Sequence, residues 1–240
     1  MHEIAQPAEI SIRFLLNNFD LCPWSTCYLS PHIRRPVLEE VGGWDPYNVT
    51  EDADLGLRLA RFGYRVEVLG TTTWEEAPPG WRDWVAQRTR WQKGWLQTYF
   101  VHMRQPGRLW RELGPASWLW VQVVLGGGML SALVHPWFYL WLAGHALAGT
   151  LGPPPGGGFA GVLWWAALVN LVAAYSAQVV LAALTVRGRG FAGLTWHVLA
   201  SPLYWLPVSL AAYRAVWQAV RAPHHWEKTP HRARVEREAA

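Results

Sequence analysis

Charge is what this sequence has least of. Of its 240 residues, 16% are Asp, Glu, Lys or Arg and 51% are hydrophobic, against about 25% charged in an average soluble domain. The deficit is local. No charged residue occurs between Glu112 and Arg187, and a second uncharged run extends from Phe191 to Tyr213. A helix in water needs a polar face, so runs of this length exclude a plain soluble globule and point to lipid or a protein core. Cysteine is scarce too. Cys22 and Cys27 are too few for a disulfide framework and lack a second pair to hold zinc, so they are read as structural or incidental. The first residues lack the basic-then-apolar pattern of a secretory signal, so membrane insertion is expected from later segments. No internal repeat is evident.

What the chain has in excess is tryptophan, 18 residues of it, and tryptophan collects at membrane interfaces. The positive charges sit at Arg34-Arg35, from Arg82 to Arg111, at Arg187 and Arg189, and in the tail. They flank the apolar runs instead of forming one stripe. That pattern fits anchoring beside a lipid bilayer and argues against nucleic acid as a partner.

Taken in order, residues 1–35 carry little signal beyond two short strand-like stretches. Pro36 to Val41 reads as a short helix closed by Gly42-Gly43. Trp44 to Asn48 reads as a turn. Thr50 is a good N-cap for a helix with Glu51, Asp52 and Asp54 in its first turn, stopping at Gly63. Tyr64 to Leu69 alternates as a strand should. Pro78-Pro79-Gly80 breaks the chain, and a Trp- and Arg-rich helix over about 81–103 suits the membrane surface. Three membrane-scale segments follow, near 117–147, 160–185 and 194–219, against the roughly 20 apolar residues a span needs. The basic loop at 187–190 and the tail are expected to be cytoplasmic. The expected fold class is thus an α/β fragment, a partial GT-A-type domain over 1–110, followed by an all-α membrane region over 111–220 and a basic cytoplasmic tail over 221–240.

The chemistry concentrates in 48–91. Thr50-Glu51-Asp52 is followed by Gln87-x-x-Arg90-Trp91. Gly42-Gly43-Trp44-Asp45 lies upstream, Trp91-Gln92-Lys93-Gly94-Trp95 downstream, and Trp226 to His231 in the tail. In this order and spacing, with membrane segments after them, these motifs resemble the second half of the processive family 2 glycosyltransferases. That group includes the cellulose, chitin and hyaluronan synthases. The resemblance covers about residue 36 to the end.

The resemblance implies transfer of a sugar, with inversion to a β-linkage, from a nucleotide-sugar to a growing glycan acceptor. Asp52 would be the general base, within Thr50-Glu51-Asp52. Gln87 and Arg90 would serve the donor pyrophosphate, joined by Lys228 and Thr229 of a gating-like segment. Trp91 would be the acceptor platform, with Gly43 and Trp44 beside it. It also implies Mg²⁺ or Mn²⁺, a multi-pass place in the inner membrane, and a cytoplasmic catalytic part. The bland readings stand alongside: Thr50 to Asp52 as a capped helix start, Trp91 as an interface anchor, Arg90 as a lipid-phosphate contact, and Glu75-Glu76 as loop surface. His224, His225 and His231 have no firm metal spacing.

The family's metal-binding D-x-D comes earlier than Asp52-Ala53-Asp54, so Asp54 is expected to be structural and no residue here is expected to bind the metal. The nucleotide-binding half is missing from the sequence. The chain is accordingly expected to be truncated and inactive alone, with a non-catalytic membrane module or one half of a split synthase as the alternatives. The split form requires a separate chain that supplies the missing half. A small transporter fits the apolar runs but leaves Gln87-x-x-Arg90-Trp91 without a purpose. A cytoplasmic motif stretch and tail require an even number of spans. Two spans with an interfacial third segment are favoured over a first segment folded as a hairpin.

Overall fold

The computed structural model describes residues 32–66, 78, 80–188, 190–223 and 225, without the side chains of 192 and 194. Cys22, Cys27, Glu75, Glu76, His224, Lys228, Thr229 and the Trp226-to-His231 segment, all named above, lie outside these residues. Seven α-helices carry the fold among the described residues: α1 Arg35–Glu40, α2 Glu51–Arg61, α3 Trp81–His102, α4 Pro106–Val121, α5 Gly128–Leu147, α6 Gly158–Gly188 and α7 Ser201–Arg221. A π-helical turn, Gln122–Gly127, joins α4 to α5, and a 3₁₀ stretch, Ala192–Ala200, leads into α7.

The expectation of an α/β fragment is wrong. The described residues contain no strand. Tyr64, Arg65 and Val66, which alternate as a strand would, run irregularly after the Gly63 turn. The physical reason is the neighbourhood. A strand needs a second strand to satisfy its backbone, and here Tyr64 and Val66 instead close a helical cluster formed by Val41, Leu55 and Leu59. The Tyr64 hydroxyl donates to the Glu40 carboxylate on α1. Residues 67–69 of that expected strand lie outside the described residues.

α2 follows its sequence signals closely. Glu51, Asp52 and Asp54 sit in the first turn, and Arg58 and Arg61 in the last, each sign at the helix end where the macrodipole favours it. Its apolar side splits between two clusters. Leu55 and Leu59 face α1, while Leu57 and Ala60 pack with Leu109, Val121 and Leu125. α2 is thereby wedged between the leading turn and the start of the long apolar helix.

α3 lies along α7. α7 turns a face of small residues toward it and α5, with Val208, Ser209, Ala211, Ala212, Ala215 and Gln218 buried, and small residues allow close helix approach. Lys93 of α3 is 1% exposed. Its Nζ donates to the carbonyl oxygens of Ala222 (2.9 Å) and His225 (2.8 Å), just beyond the helix end where carbonyls lose their intrahelical partners. Burial pushes the Lys93 ammonium down from its ordinary range. One side chain thus ties the end of α7 to the middle of α3.

From Pro106 to Leu147 the helix runs on through two irregularities. Gly114 (φ 75°) with Pro115 kinks it, and the π turn makes room for Tyr99. The Tyr99 hydroxyl donates to Gln122 Oε1 at 2.8 Å, and a Cβ at Gly126 would stand 3.2 Å from the Tyr99 ring. Among the described residues, this 42-residue stretch and α6 are the two helices long and apolar enough to cross a membrane. None of α6's most apolar window is buried. α6 is held by hydrogen bonds near its middle: Tyr175 OH pairs with His135 Nε2 and with Tyr139 OH, both at 2.7 Å.

Beneath α2 lies a charged network. Asp54, 3% exposed, receives Arg58 Nε on Oδ2 (2.7 Å) and His102 Nε2 on Oδ1 (2.9 Å). Arg61 Nη1 meets His102 Nδ1 at 2.8 Å. Arginine has donors only, so His102 accepts at Nδ1 and carries its proton on Nε2. Burial alone would raise the Asp54 carboxyl, but the His102 hydrogen bond and the Arg58 charge overcome it and hold it below the usual range. A carboxylate with a depressed folded pKa contributes stability above its unfolded pKa and loses it as pH falls through the folded one. Asp54→Asn is therefore expected to cost on the order of 3 kcal/mol at neutral pH and to flatten the loss of melting temperature in acid. An unchanged melting temperature in detergent at neutral pH would contradict the assignment.

Candidate functional site

The site begins with Asn48. Its Nδ2 donates to Thr98 Oγ1 on α3 (2.8 Å), and its Oδ1 accepts from the Thr50 amide (3.0 Å). All three residues are buried. Asn48 thus fixes the loop before α2 against α3. Thr50 occupies the N-cap position without capping through its side chain. The side chain turns toward α3 instead and lies on Gly94, where a Cβ would come within 2.7 Å of the Thr50 Cβ and nearer still to its Oγ1 and Cγ2. A glycine inside a helix costs roughly 0.5–1 kcal/mol relative to alanine. Here it permits a contact that no other residue permits.

That contact joins the two motif stretches. Residues three and four apart share a helix face. Gln87, Trp91, Gly94 and Thr98 therefore form one stripe on α3, with Arg90 at its edge, and the stripe's lower half carries the loop that leads into Asp52. Gln87, Arg90 and Trp91 are all half-buried. Arg88 lies over the Trp91 ring at 4.3 Å and also reaches Trp84 at 5.5 Å. One face of Trp91 is thus covered by a guanidinium. Among the described residues no aromatic ring stacks on the other.

Asp52 is half-buried beside exposed Glu51. Burial raises its carboxyl above the ordinary range. The Ala53 amide, which donates to Asp52 Oδ1 at 2.8 Å, works against this, and the Glu51 charge adds to it. A carboxylate that binds its proton more readily than usual is better suited to general-base work near neutral pH. Gly42 and Gly43 both have positive φ and close α1. Gly42 faces the Arg58 guanidinium, Gly43 faces open space, and Trp44 is 46% exposed.

The family's divalent ion finds no fit here. Asp52 and Asp54 are two apart on a helix and point to different sides, and both oxygens of Asp54 are already engaged by Arg58 and His102. Among the described residues no group of three His, Cys, Asp or Glu could hold an ion.

The sequence motifs assign no role to Asn48, Thr98, Lys93 or His102, although Lys93 lies within Trp91-Gln92-Lys93-Gly94-Trp95. The one available signal was Gly94, a glycine in a long helical pattern, which marks close backbone approach.

Residues 30–220 match the family described as glycosyl transferase family group 2. The probable glycosyltransferase YdaM of Bacillus subtilis (strain 168) is 41% identical over 63 residues, 26% of this chain and 15% of that protein. The beta-monoglucosyldiacylglycerol synthase of Synechocystis sp. is 33% identical over 100 residues, 39% of this chain and 20% of its own. The UDP-forming cellulose synthase catalytic subunit of Xanthomonas axonopodis pv. citri is 44% identical over 66 residues, 27% of this chain and 9% of its own. The chain covers no more than a fifth of these relatives' lengths. No solved structure matches.

Two outcomes follow from the geometry. Gly94→Ala is expected to cost roughly 2 kcal/mol by overpacking, with much of it restored by adding Thr50→Gly in a double-mutant cycle. A strictly additive cycle would deny the contact. Asp52→Asn is expected to raise the melting temperature at neutral pH. A raised folded pKa makes the ionised carboxylate a stability cost above that pKa, and the gain should vanish as pH falls below it.

Proposed function

The chain belongs to glycosyl transferase family group 2, and from that premise we infer that residues 48–98 form the acceptor-side half of an inverting sugar-transfer site in a membrane synthase. The reading is carried by one observation, the Thr50–Gly94 contact that sets the Asp52 loop on the helix bearing Gln87, Arg90 and Trp91.

In this reading Asp52 takes the proton of the acceptor hydroxyl. The freed oxygen attacks the anomeric carbon as the bond to the nucleoside diphosphate breaks, and configuration inverts. Arg90, with Gln87, stabilises the negative charge that develops on the departing diphosphate. Trp91 offers the acceptor sugar the ring face opposite Arg88, which holds the indole in place. Trp44 and Gly43 line the approach of the glycan. Ligands for the divalent ion that family members generally use come from residues beyond those described, in the same polypeptide or in a partner.

Membrane placement follows from the two long apolar helices. Their exposed side chains would be an unsupportable apolar surface in water. The favoured arrangement is multi-pass in the inner membrane, with the site on the cytoplasmic side and α3 at headgroup depth.

Membranes containing the protein together with the polypeptide or partner that supplies the donor-binding half, given a panel of labelled nucleotide-sugars and β-linked oligosaccharide acceptors, are expected to yield elongated product, and the chain alone is not. Asp52→Asn should lower turnover by at least about 10²-fold. The rate should fall as pH drops through the raised Asp52 pKa. Independently of turnover, tryptophan fluorescence of the chain in nanodiscs should report acceptor binding that weakens roughly tenfold in Trp91→Ala. Full turnover in Asp52→Asn would overturn the base assignment. Unaltered acceptor affinity in Trp91→Ala would overturn the platform.

A further inference from the structure

At the far end of α2 from Asp52, roughly 15 Å along the helix axis at 1.5 Å per residue, lies a cavity of about 310 Å³. Arg58, Arg61, Phe62, Arg108 and Glu112 line it. Three guanidinium groups face one carboxylate. Glu112 bridges two of them, taking Arg61 Nε on Oε2 and Arg108 Nε on Oε1, both at 2.6 Å. Arg58 spends Nε on Asp54 and Nη1 on the Val41 carbonyl. Its Nη2 is buried with no hydrogen-bond partner. A buried donor without an acceptor is costly.

The cavity's place in the chain narrows the class of anion. Arg108 and Glu112 stand on the first turns of the first membrane-length helix, directly before the uncharged run that begins at Leu113. Trp110, 45% exposed, meets Trp118 edge-to-face at 5.2 Å on the same helix, the residue type that marks headgroup depth. Phe62 lines the cavity and is itself exposed, an apolar surface beside a cationic pocket.

We propose that this cavity is a binding site for the phosphate of an anionic phospholipid headgroup, held by Arg58, Arg61 and Arg108, with the acyl region passing Phe62. The site is separate from the sugar-transfer groups. Guanidinium groups suit phosphate because their planar donor forks match its oxygens. The proposal rests on the reading of Pro106–Leu147 as a membrane span, and that reading is checked separately by extraction of cell membranes with alkaline carbonate.

The test uses the full chain, stripped of lipid in a neutral detergent. Short-chain phosphatidylglycerol, short-chain phosphatidylcholine and inorganic phosphate are titrated in parallel, with melting temperature and tryptophan fluorescence as readouts. Phosphatidylglycerol is expected to stabilise the chain saturably, and phosphatidylcholine is not. Arg108→Gln, at an exposed arginine outside the Asp54 network, should weaken phosphatidylglycerol binding at least threefold while leaving the lipid-free melting temperature nearly unchanged. Equal stabilisation by both lipids, no saturable effect, or an unaltered affinity in Arg108→Gln overturns the site. Inorganic phosphate binding as tightly as phosphatidylglycerol overturns the lipid as its occupant. A chain released by carbonate that still binds phosphatidylglycerol would overturn the span while leaving the cavity assignment standing.

Discussion

The contact of Thr50 with Gly94 is the constraint on which the rest of this architecture depends. It brings together two stretches more than forty residues apart, and it does so at a distance that only a glycine on α3 allows. Asn48 makes the contact directional by hydrogen-bonding both the loop and Thr98. With the loop fixed, α2 leaves α3 at its N-terminal end, and Asp52 follows in the first turn of a helix whose direction is already set. Any larger side chain at position 94 would separate the carboxylate from the stripe carrying Gln87 and Trp91. The requirement is steric rather than chemical, which is why a residue with no functional group sits at the centre of the proposed site.

Around that contact the fold separates two uses of charge. Asp54, two residues from Asp52, is fully committed to His102 and Arg58, and its ionised form is stabilised. Asp52 is left half-buried, its Oδ1 accepting from the Ala53 amide, and its ionised form is disfavoured. The same helix turn therefore holds a carboxylate that strengthens the fold and one that weakens it. Divergent environments for neighbouring acids are how a single scaffold separates support from chemistry. Lys93 extends the support outward, since its buried ammonium takes the last carbonyls beyond α7 and so locks α3 to the helix behind it. Behind the site, α5, α6 and α7 meet through His135, Tyr139 and Tyr175, polar groups that in an apolar surrounding must find one another.

Much of this was legible in the sequence, for identifiable reasons. α2 announced itself through acids at its start, arginines at its end and Gly63 after it. The long apolar runs needed only the absence of charge. The motif residues were recognisable by order and spacing. The α/β expectation failed because alternation over Tyr64 to Val66 describes a half-buried segment without saying what buries it, and helices do so here. Thr50 had the chemistry of a capping residue, yet its hydroxyl serves packing on Gly94, a choice made by α3 and invisible locally. The Asp54 network links positions 54, 58, 61, 102 and 112, and no local pattern pairs residues that far apart. Lys93 stood within the motif Trp91-Gln92-Lys93-Gly94-Trp95 with no role of its own. Its burial depends on where α7 ends, more than a hundred residues later.

The central claim is that Asp52 and Trp91 face one acceptor sugar across the Thr50–Gly94 contact. It is tested most directly by a structure of the protein in nanodiscs with a bound β-linked oligosaccharide. The account predicts the terminal sugar stacked on the Trp91 face opposite Arg88, with an acceptor hydroxyl within hydrogen-bond distance of an Asp52 carboxylate oxygen. A sugar bound elsewhere, or bound on Trp91 with no hydroxyl within reach of Asp52, would contradict it.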